Sequence, residues 1–335
     1  MKLWFLILLP LLIAALPAST TTEVLIEGTF EATTINEGTI NAELYYQPPN
    51  NNQQTINKQE PYATPPATIK KTNTLVYIWD QPPTGNYKLG TKNVITNKHY
   101  EPTIKYTTYP IKNIPANILS YTQPTKKIDL TPAISQQAQQ LTTSNDAYLI
   151  THTIGEWVKN NIAYSLDTLT AEATYPSSWV YENKRGVCDE ITNLFISMVR
   201  SNGIPARFVT GLVKTNESYN PHGWAEVYYP EQGWVPYDVT FGQYGWLDSN
   251  HVTIHEDPDP GTPGITYQWT ENINVEKTSL TIQGTTISNE GTINSPVSIS
   301  ITPLHNNVGF GSYIPLLATI TNNDNIYHSI QLSIT

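Results

Sequence analysis

The sequence of 335 residues contains one cysteine, Cys188, followed downstream by His222 and Asp238. A thiolate is a strong nucleophile, an imidazole close to it can take its proton, and a carboxylate can hold that imidazole in the required tautomer. The order Cys, His, Asp therefore predicts thiol catalysis. A lone cysteine is more often a small buried apolar residue, so the elements around it must decide between the two interpretations.

A helix is predicted to begin at the cysteine. Apolar residues recur from Ile191 to Val199 with the spacing of a helix that has one buried face, and Asn202-Gly203 ends it. Cys188 then lies in or just before the first turn, where free backbone N–H groups and the helix dipole stabilise an anion. We therefore predict that the Cys188 thiol ionises readily.

The histidine and the aspartate lie on predicted strands. Residues 207–213, 224–229 and 234–237 are typical of strands, with a turn between the last two. His222 lies at the start of one strand and Asp238 at the end of its hairpin partner, so the hairpin can bring the two side chains close together.

The register of that hairpin poses a problem. If Tyr229 paired with Trp234, Asp238 would lie on the strand face that His222 does not share. The triad then needs a bulge or an asymmetric turn. We predict an irregularity beside Pro236, which cannot donate to a ladder and is tolerated at bulges.

These residues resemble the core of the transglutaminase-like superfamily of papain-like thiol enzymes. The resemblance rests on residues 186–190, 203–207, 222–228, 233–234 and 238–240, and it extends from the helix near Ala147 to about Asp248. It implies that Cys188 is the nucleophile, His222 the base and Asp238 the residue that orients the base.

The resemblance also implies acyl transfer from a glutamine or peptide amide through a thioester, to an amine or to water. The expected function is therefore that of a secreted thiol-dependent acyl transferase or peptidase. The alternative is a non-catalytic cell-surface module that keeps the same fold and binds peptide in the former active-site cleft.

Trp179 is a candidate oxyanion donor, because an indole N–H close to the thiol could hold the negative oxygen of a tetrahedral intermediate. It lies in the segment 165–185, which is predicted to approach the site as a loop. Packing against the helix is the commoner role of a tryptophan. The backbone N–H of Cys188 is the other candidate donor.

A group of acidic and histidine residues follows the predicted triad. Prolines lie among them, and no two potential ligands have a spacing that forces a metal site. We interpret the segment as a solvated acidic loop and expect no metal and no cofactor. Its members are His251, His255, Glu256, Asp257 and Asp259.

Composition and charge restrict the partners. The formal net charge is −10, from 18 basic and 28 acidic residues. Because lysine and arginine form no cluster longer than two, nucleic acid is not an expected partner. The expected partner is a protein or peptide substrate.

The N-terminus has the order of a signal peptide: Met1-Lys2, an apolar run over residues 3–16, and small residues around Ala18. We predict cleavage after Ala18, and hence a secreted, extracellular or cell-surface protein; without cleavage the segment would be an N-terminal anchor. A single cysteine has no partner for an internal disulfide, which suits an exported enzyme that must keep one thiol free.

The expected fold class is α+β. A signal peptide (1–18) precedes an N-terminal β domain (19–130), a transglutaminase-like catalytic domain (131–275) and a C-terminal immunoglobulin-like β-sandwich (276–335), which is abbreviated or incomplete. In the first domain, residues 47–66 are predicted to form a long polar loop and residues 104–109 a strand.

Overall fold

The computed structural model describes residues 17–169, 174–293, 296–305, 309, 311–324 and 326–328. The predicted signal peptide therefore lies outside the described residues except for its last two positions. Among the residues that are described, no helix has the length and apolar character needed to cross a membrane.

The chain has a mixed α/β fold in which strands predominate. The first six strands are β1 (Ser19–Thr34), β2 (Thr39–Leu44), β3 (Gln54–Thr64), β4 (Thr68–Lys71), β5 (Leu75–Asp80) and β6 (Gly85–Lys98). The helices are α1 (Pro132–Gln140), α2 (Ala147–Asn161), α3 (Ser177–Asn183) and α4 (Cys188–Ser201), with 3₁₀ turns at Leu119–Thr122 and Leu166–Thr168.

The remaining strands lie among and after the helices. They are β7 (Ala163–Tyr164), β8 (Arg185–Gly186), β9 (Ala206–Thr215), β10 (Ser218–Tyr229), β11 (Gly233–Asp238), β12 (Gln243–Tyr244), β13 (His251–Asp257), β14 (Ile265–Trp269), β15 (Ile273–Glu290), β16 (Val297–Pro303) and β17 (Leu316–Asn322).

Two four-stranded sheets form the first part of the molecule. Their strand orders are β15-β1-β6-β3 and β14-β2-β5-β4, and their inward residues share one apolar core. Alternation explains this arrangement, because every second residue of β1 is buried, including Val24, Ile26 and Phe30. We refer to these two sheets as the sandwich.

Residues 47–66 are not a long loop, because β3 occupies most of them and pairs with β6. This strand is at the edge of its sheet and exposes most of its residues, so it needs no apolar alternation and gave no strand pattern. The strand expected at residues 104–109 is also absent. That segment forms only an isolated bridge between Thr108 and Asp146.

The end of the described chain differs from the expected domain order. Strand β15 pairs with β1 along most of its length, from Ser19 opposite Glu290 to Thr34 opposite Ile273. The predicted boundary after residue 275 therefore falls inside a strand of the sandwich. Beyond it, β16 and β17 form a separate hairpin, and an immunoglobulin-like unit at 276–335 stays a prediction.

A second layered unit carries the predicted triad. An antiparallel sheet of order β12-β11-β10-β9-β13 packs against α4, which α1, α2 and α3 cover on its other sides. Every residue of α4 from Glu190 to Arg200 is buried, so this helix is the centre of the unit. Because α4 is held from all sides, its first residue, Cys188, has a fixed position at the sheet.

Candidate active site

The start of α4 is fixed by a buried carboxylate. Glu190 accepts hydrogen bonds from the backbone N–H of Val187 (2.8 Å), which precedes the helix, and from the Thr168 hydroxyl (2.7 Å). It also accepts one from the backbone N–H of Tyr175 (3.2 Å). One side chain therefore holds both the helix terminus and the segment that approaches it, and Cys188 is the first helical residue.

The Cys188 thiol lies between a carboxylate and the strand that carries the histidine. Its S–H faces Asp189 Oδ1 at 3.5 Å, and the backbone N–H of Gly223 faces the sulfur. A Cβ atom at Gly223 would lie 2.5 Å from that same Asp189 oxygen. Only glycine at this position, directly after His222, leaves room for the helix terminus.

The structure contradicts the prediction that this thiol ionises readily. Burial raises the pKa of Cys188 first, and the negative charge of Asp189 raises it further. The hydrogen bond from Gly223 lowers it by less. Loss of hydration and a like charge therefore outweigh the effect of the helix terminus on the pKa of this thiol.

The hairpin that brings His222 and Asp238 together contains no bulge. Strands β10 and β11 pair regularly from Ala225 opposite Tyr237 to Tyr229 opposite Gly233, so the irregularity predicted beside Pro236 is wrong. The loop has three residues instead of four, and Gly233 has a φ of +77°. This asymmetric turn shifts the register by one residue and places Asp238 on the face of His222.

His222 and Asp238 form a buried pair. The Nε2 atom of His222 lies 2.6 Å from Asp238 Oδ2, and Asp238 Oδ1 accepts the backbone N–H of Phe241 at 3.1 Å. Burial alone would raise the pKa of Asp238, but the charge of His222 and the hydrogen bonds from His222 and His251 hold it well below its ordinary value. An ionised carboxylate only accepts, so Nε2 carries a proton, and in the neutral form of His222 the Nδ1 atom is the proton acceptor.

His251 is a residue of the site that the sequence did not reveal as such. Its Nε2 lies 3.0 Å from Asp238 Oδ2, and its Nδ1 lies 2.9 Å from Asp248 Oδ1. Burial would lower the pKa of His251, but its hydrogen bonds to the two carboxylates outweigh burial and raise it to about 9. Asp238 thus accepts from two imidazoles with one oxygen.

The interpretation of residues 251–259 as a solvated loop is wrong. Residues His251–Asp257 form β13, which pairs with β9, and the prolines begin only after this strand ends. The signal that could have shown it is the alternation of Val252 and Ile254, both fully buried. At the far end of the strand, Glu256 pairs with Arg207 at 2.7 Å, so it too has a structural role.

His222, Asp238 and His251 are also the set of described residues whose ligand atoms converge as a metal would require, all within 4.8 Å of one another. Those atoms are already joined by hydrogen bonds of 2.6 and 3.0 Å. Asp238 and His251 are buried and offer no open position for water or substrate. The three side chains therefore form a buried hydrogen-bond network.

A cavity of about 770 Å³ opens at the thiol and has the size of a ligand pocket. Its walls are mainly apolar, and they come from the helix start, the strands and the sandwich. The residues that matter here are Cys188, His222, Leu166, Phe208, Tyr46 and Ile282. Tyr46 follows β2 and Ile282 lies on β15, so the sandwich supplies part of the cavity wall.

Trp179 is not among the residues that line this cavity. It lies on α3, where its ring stacks on Tyr175 with centroids 4.0 Å apart, and it packs against the core. The structure therefore gives Trp179 a packing contact, and its role as an oxyanion donor stays a prediction.

Comparison with known proteins agrees with this geometry over part of the chain. Residues 135–239 match the family model of the transglutaminase-like superfamily. A Bacillus subtilis protein described as uncharacterized protein YebA is 34% identical over 100 residues, which are 25% of this chain and 14% of that protein. A protein-glutamine gamma-glutamyltransferase of Pseudomonas aeruginosa is 27% identical over 89 residues, which are 24% of this chain and 13% of that protein.

The chain therefore spans only a small fraction of the length of the curated relatives it matches. Among solved structures, a Cytophaga hutchinsonii protein described as a candidate cysteine protease has a similar fold. The TM-score is 0.61 at 15% identity, over 82% of this chain and 93% of that chain. Residues 135–239 are therefore similar in sequence to the transglutaminase-like superfamily, and the chain shares its fold with the Cytophaga hutchinsonii structure.

Proposed function

We propose that the protein is a thiol-dependent acyl transferase or peptidase that opens amide bonds of proteins or peptides through a thioester on Cys188. The observation that carries this proposal is the hydrogen-bonded pair of His222 and Asp238, at 2.6 Å, beside a cavity that also contains the thiol. These are the three groups that thiol catalysis requires, and separate elements hold them in one place.

In the first half of the reaction, Nδ1 of His222 takes the thiol proton as the sulfur attacks the carbonyl carbon of the amide. The carbonyl oxygen becomes negative, and the backbone N–H of Cys188 is the proposed donor to it. When the carbon–nitrogen bond breaks, the leaving amine takes the proton from His222. The acyl group is then held as a thioester.

In the second half, water or an amine attacks the thioester carbon while His222 takes a proton from the attacking group. The carbon–sulfur bond then breaks and the sulfur regains that proton. Water gives hydrolysis, and an amine gives a new amide. Because burial and Asp189 raise the pKa of the Cys188 thiol, the sulfur needs His222 to take its proton when it attacks.

One observation favours a second candidate, a non-catalytic module that binds peptide in the cavity. Asp189 lies 3.5 Å from the sulfur, and burial together with this charge raises the pKa of the thiol. A protein that no longer uses its thiol could tolerate such a neighbour. Binding of peptide without turnover is the outcome that this candidate predicts.

The experiment incubates the purified protein with a peptide library, with and without a primary amine, and reads the products by mass. We expect either hydrolysis or amine incorporation, and Cys188→Ala should abolish both while it leaves peptide binding in place. Peptide binding by the wild type with no product under either condition would favour the binding module.

We also propose that the protein works outside the cytoplasm, as a secreted or cell-surface protein. The support is the charged, apolar and small-residue order of residues 1–18 and the single free cysteine. Export of the full-length chain, followed by sequencing of the mature N-terminus, tests this and identifies the cleavage position.

A further inference from the structure

Asp238 is shared between two histidines that reach it from different strands. His222 lies on β10 and His251 at the start of β13, and these strands are separated in the sheet by β9. Both Nε2 atoms bond to the same oxygen, Oδ2, at 2.6 and 3.0 Å. Whatever charge His251 carries therefore acts directly on the carboxylate that is paired with His222.

His251 is held in place from both ends. Asp248 accepts its Nδ1–H at 2.9 Å, and Gln243 donates to the other oxygen of Asp248 at 2.9 Å. The ring of Trp224 meets the imidazole edge to face, with centroids 5.3 Å apart. Since His251 is fully buried, neither its position nor its hydrogen bonds can relax into solvent.

The charged and titratable groups that face His251 are few. Asp238 comes from the end of β11 and Asp248 from the segment before β13. His222 is the third, with ring centroids 5.9 Å apart, and it comes from β10. Two carboxylates around one imidazole favour its cationic form, because each would otherwise be a buried and unneutralised charge.

We infer that His251 is a positioning residue for the reaction: it fixes the Asp238 carboxylate and neutralises it, so that His222 rests uncharged and ready to accept the thiol proton. Two cations on one carboxylate oxygen repel each other, so a charged His251 disfavours a charged His222. This inference rests on the proposed function.

The test uses His251→Gln, which keeps one N–H donor but removes the charge. We expect kcat to fall about tenfold to a hundredfold with KM nearly unchanged, because the carboxylate loses its fixed orientation. The pH at which kcat/KM falls on the acidic side should rise by about one unit, since His222 becomes easier to protonate. A merely structural residue would not move this pH profile.

A second readout needs no substrate. Alkylation of Cys188 by iodoacetamide at pH 7 should become about tenfold faster in His251→Gln, because a charged His222 beside the thiol becomes more favourable. In a His222→Ala background the same substitution should give no gain. His255→Gln is the matched control, because His255 lies on the same strand and pairs with Asp257 at 3.3 Å but has no bond to Asp238.

The outcomes separate this inference from the proposed function. If the wild type turns over no substrate but labelling is faster in His251→Gln, the proposed enzyme activity is overturned and the coupling of the two histidines is supported. A folded His251→Gln with wild-type labelling and pH profile would overturn the inference. If His251→Gln does not fold, the double variant Asp248→Asn with His251→Gln removes the charge without leaving Asp248 unpaired, and the same readouts decide.

Discussion

At the scale of single residues, two carboxylates lie next to the reactive groups of the candidate site. Asp189 and Asp238 act in opposite ways, because one lies against the thiol and the other against the imidazole. Asp189 raises the pKa of the Cys188 thiol and so opposes formation of a thiolate, whereas Asp238 accepts a hydrogen bond from His222 and orients its ring.

We expect Asp189→Asn to make Cys188 more reactive. Removing the charge that lies 3.5 Å from the sulfur lowers the pKa of the thiol, so iodoacetamide labelling at pH 7 should become at least tenfold faster. Labelling rates from pH 6 to 10 measure this. Asp167→Asn, on an exposed turn of the same approach segment, should behave as the wild type; an unchanged rate in Asp189→Asn would show that burial alone controls the thiol.

Asp238→Asn tests the orienting role of the carboxylate. The amide keeps the shape but can hold the wrong imidazole tautomer, and in a comparable serine triad such a change costs on the order of 10⁴ in rate. We expect kcat to fall by a factor of that order with KM little changed, measured on the substrate found in the library. A loss smaller than tenfold would exclude Asp238 from the mechanism.

Stability should depend on pH through His251. Its pKa is raised to about 9 in the folded protein, above an unfolded value near 6.5, so its contribution is complete below about pH 6.5 and is lost as the pH rises through about 9. The loss is at most on the order of 3 kcal/mol. Urea unfolding at pH 6 and pH 10 measures it, and His251→Gln should show a smaller difference between the two.

At the scale of elements, the predictable parts are those with a periodic pattern. The stripe from Ile191 to Val199 predicts α4, and the alternation after Trp224 predicts the central hairpin, and both are present. The edge strand β3 and the strand β13 were missed. The first is polar on both faces, and in the second the acidic residues concealed a short alternation.

The register of the hairpin shows why the rest of the site could not be predicted. Residue types indicated which strands carry His222 and Asp238, but the face depends on whether the turn has three or four residues. That choice is made by Gly233, whose left-handed φ ends a three-residue loop. His251 was equally inaccessible, because it reaches Asp238 from a strand that is not adjacent in the sheet.

We expect Gly233→Val to destabilise the hairpin by about 1–2 kcal/mol, because a branched side chain is strained at a φ of +77°. Activity should fall further than stability, since a shift of register would turn Asp238 away from His222. Urea unfolding and turnover measure the two effects. Gly233→Asn is the control, since asparagine tolerates this conformation, and equal losses in both variants would show that φ is not the cause.

At the scale of the whole molecule, the two units are interleaved in the sequence and both contribute to the wall of the cavity at the thiol. The sandwich uses residues from both sides of the second unit in the sequence, because β1 pairs with β15 and β2 pairs with β14. The cavity at the thiol is completed by Tyr46 and Ile282 of the sandwich. The two units therefore form one structure. The sandwich is built from two stretches of the chain, one before the residues of the second unit and one after them.

This arrangement predicts the effect of truncation. A chain that ends at residue 275 keeps every predicted catalytic residue but loses nearly all of β15, and β1 then has an open edge. We expect it to aggregate or to unfold at a lower temperature than a chain that ends at residue 293, measured by gel filtration and thermal unfolding. Equal stability of the two chains would show that residues 276–290 belong to a separate unit.

The pairing of β1 with β15 also has a consequence for synthesis. Ser19 meets Glu290 only after all of the second unit has been made, which at roughly 5–20 residues per second takes on the order of tens of seconds. Throughout that interval β1 lacks a neighbour on one side, and the cavity lacks Ile282. Until β15 has been made, a nascent chain therefore lacks both the neighbour of β1 and part of the cavity wall beside Cys188.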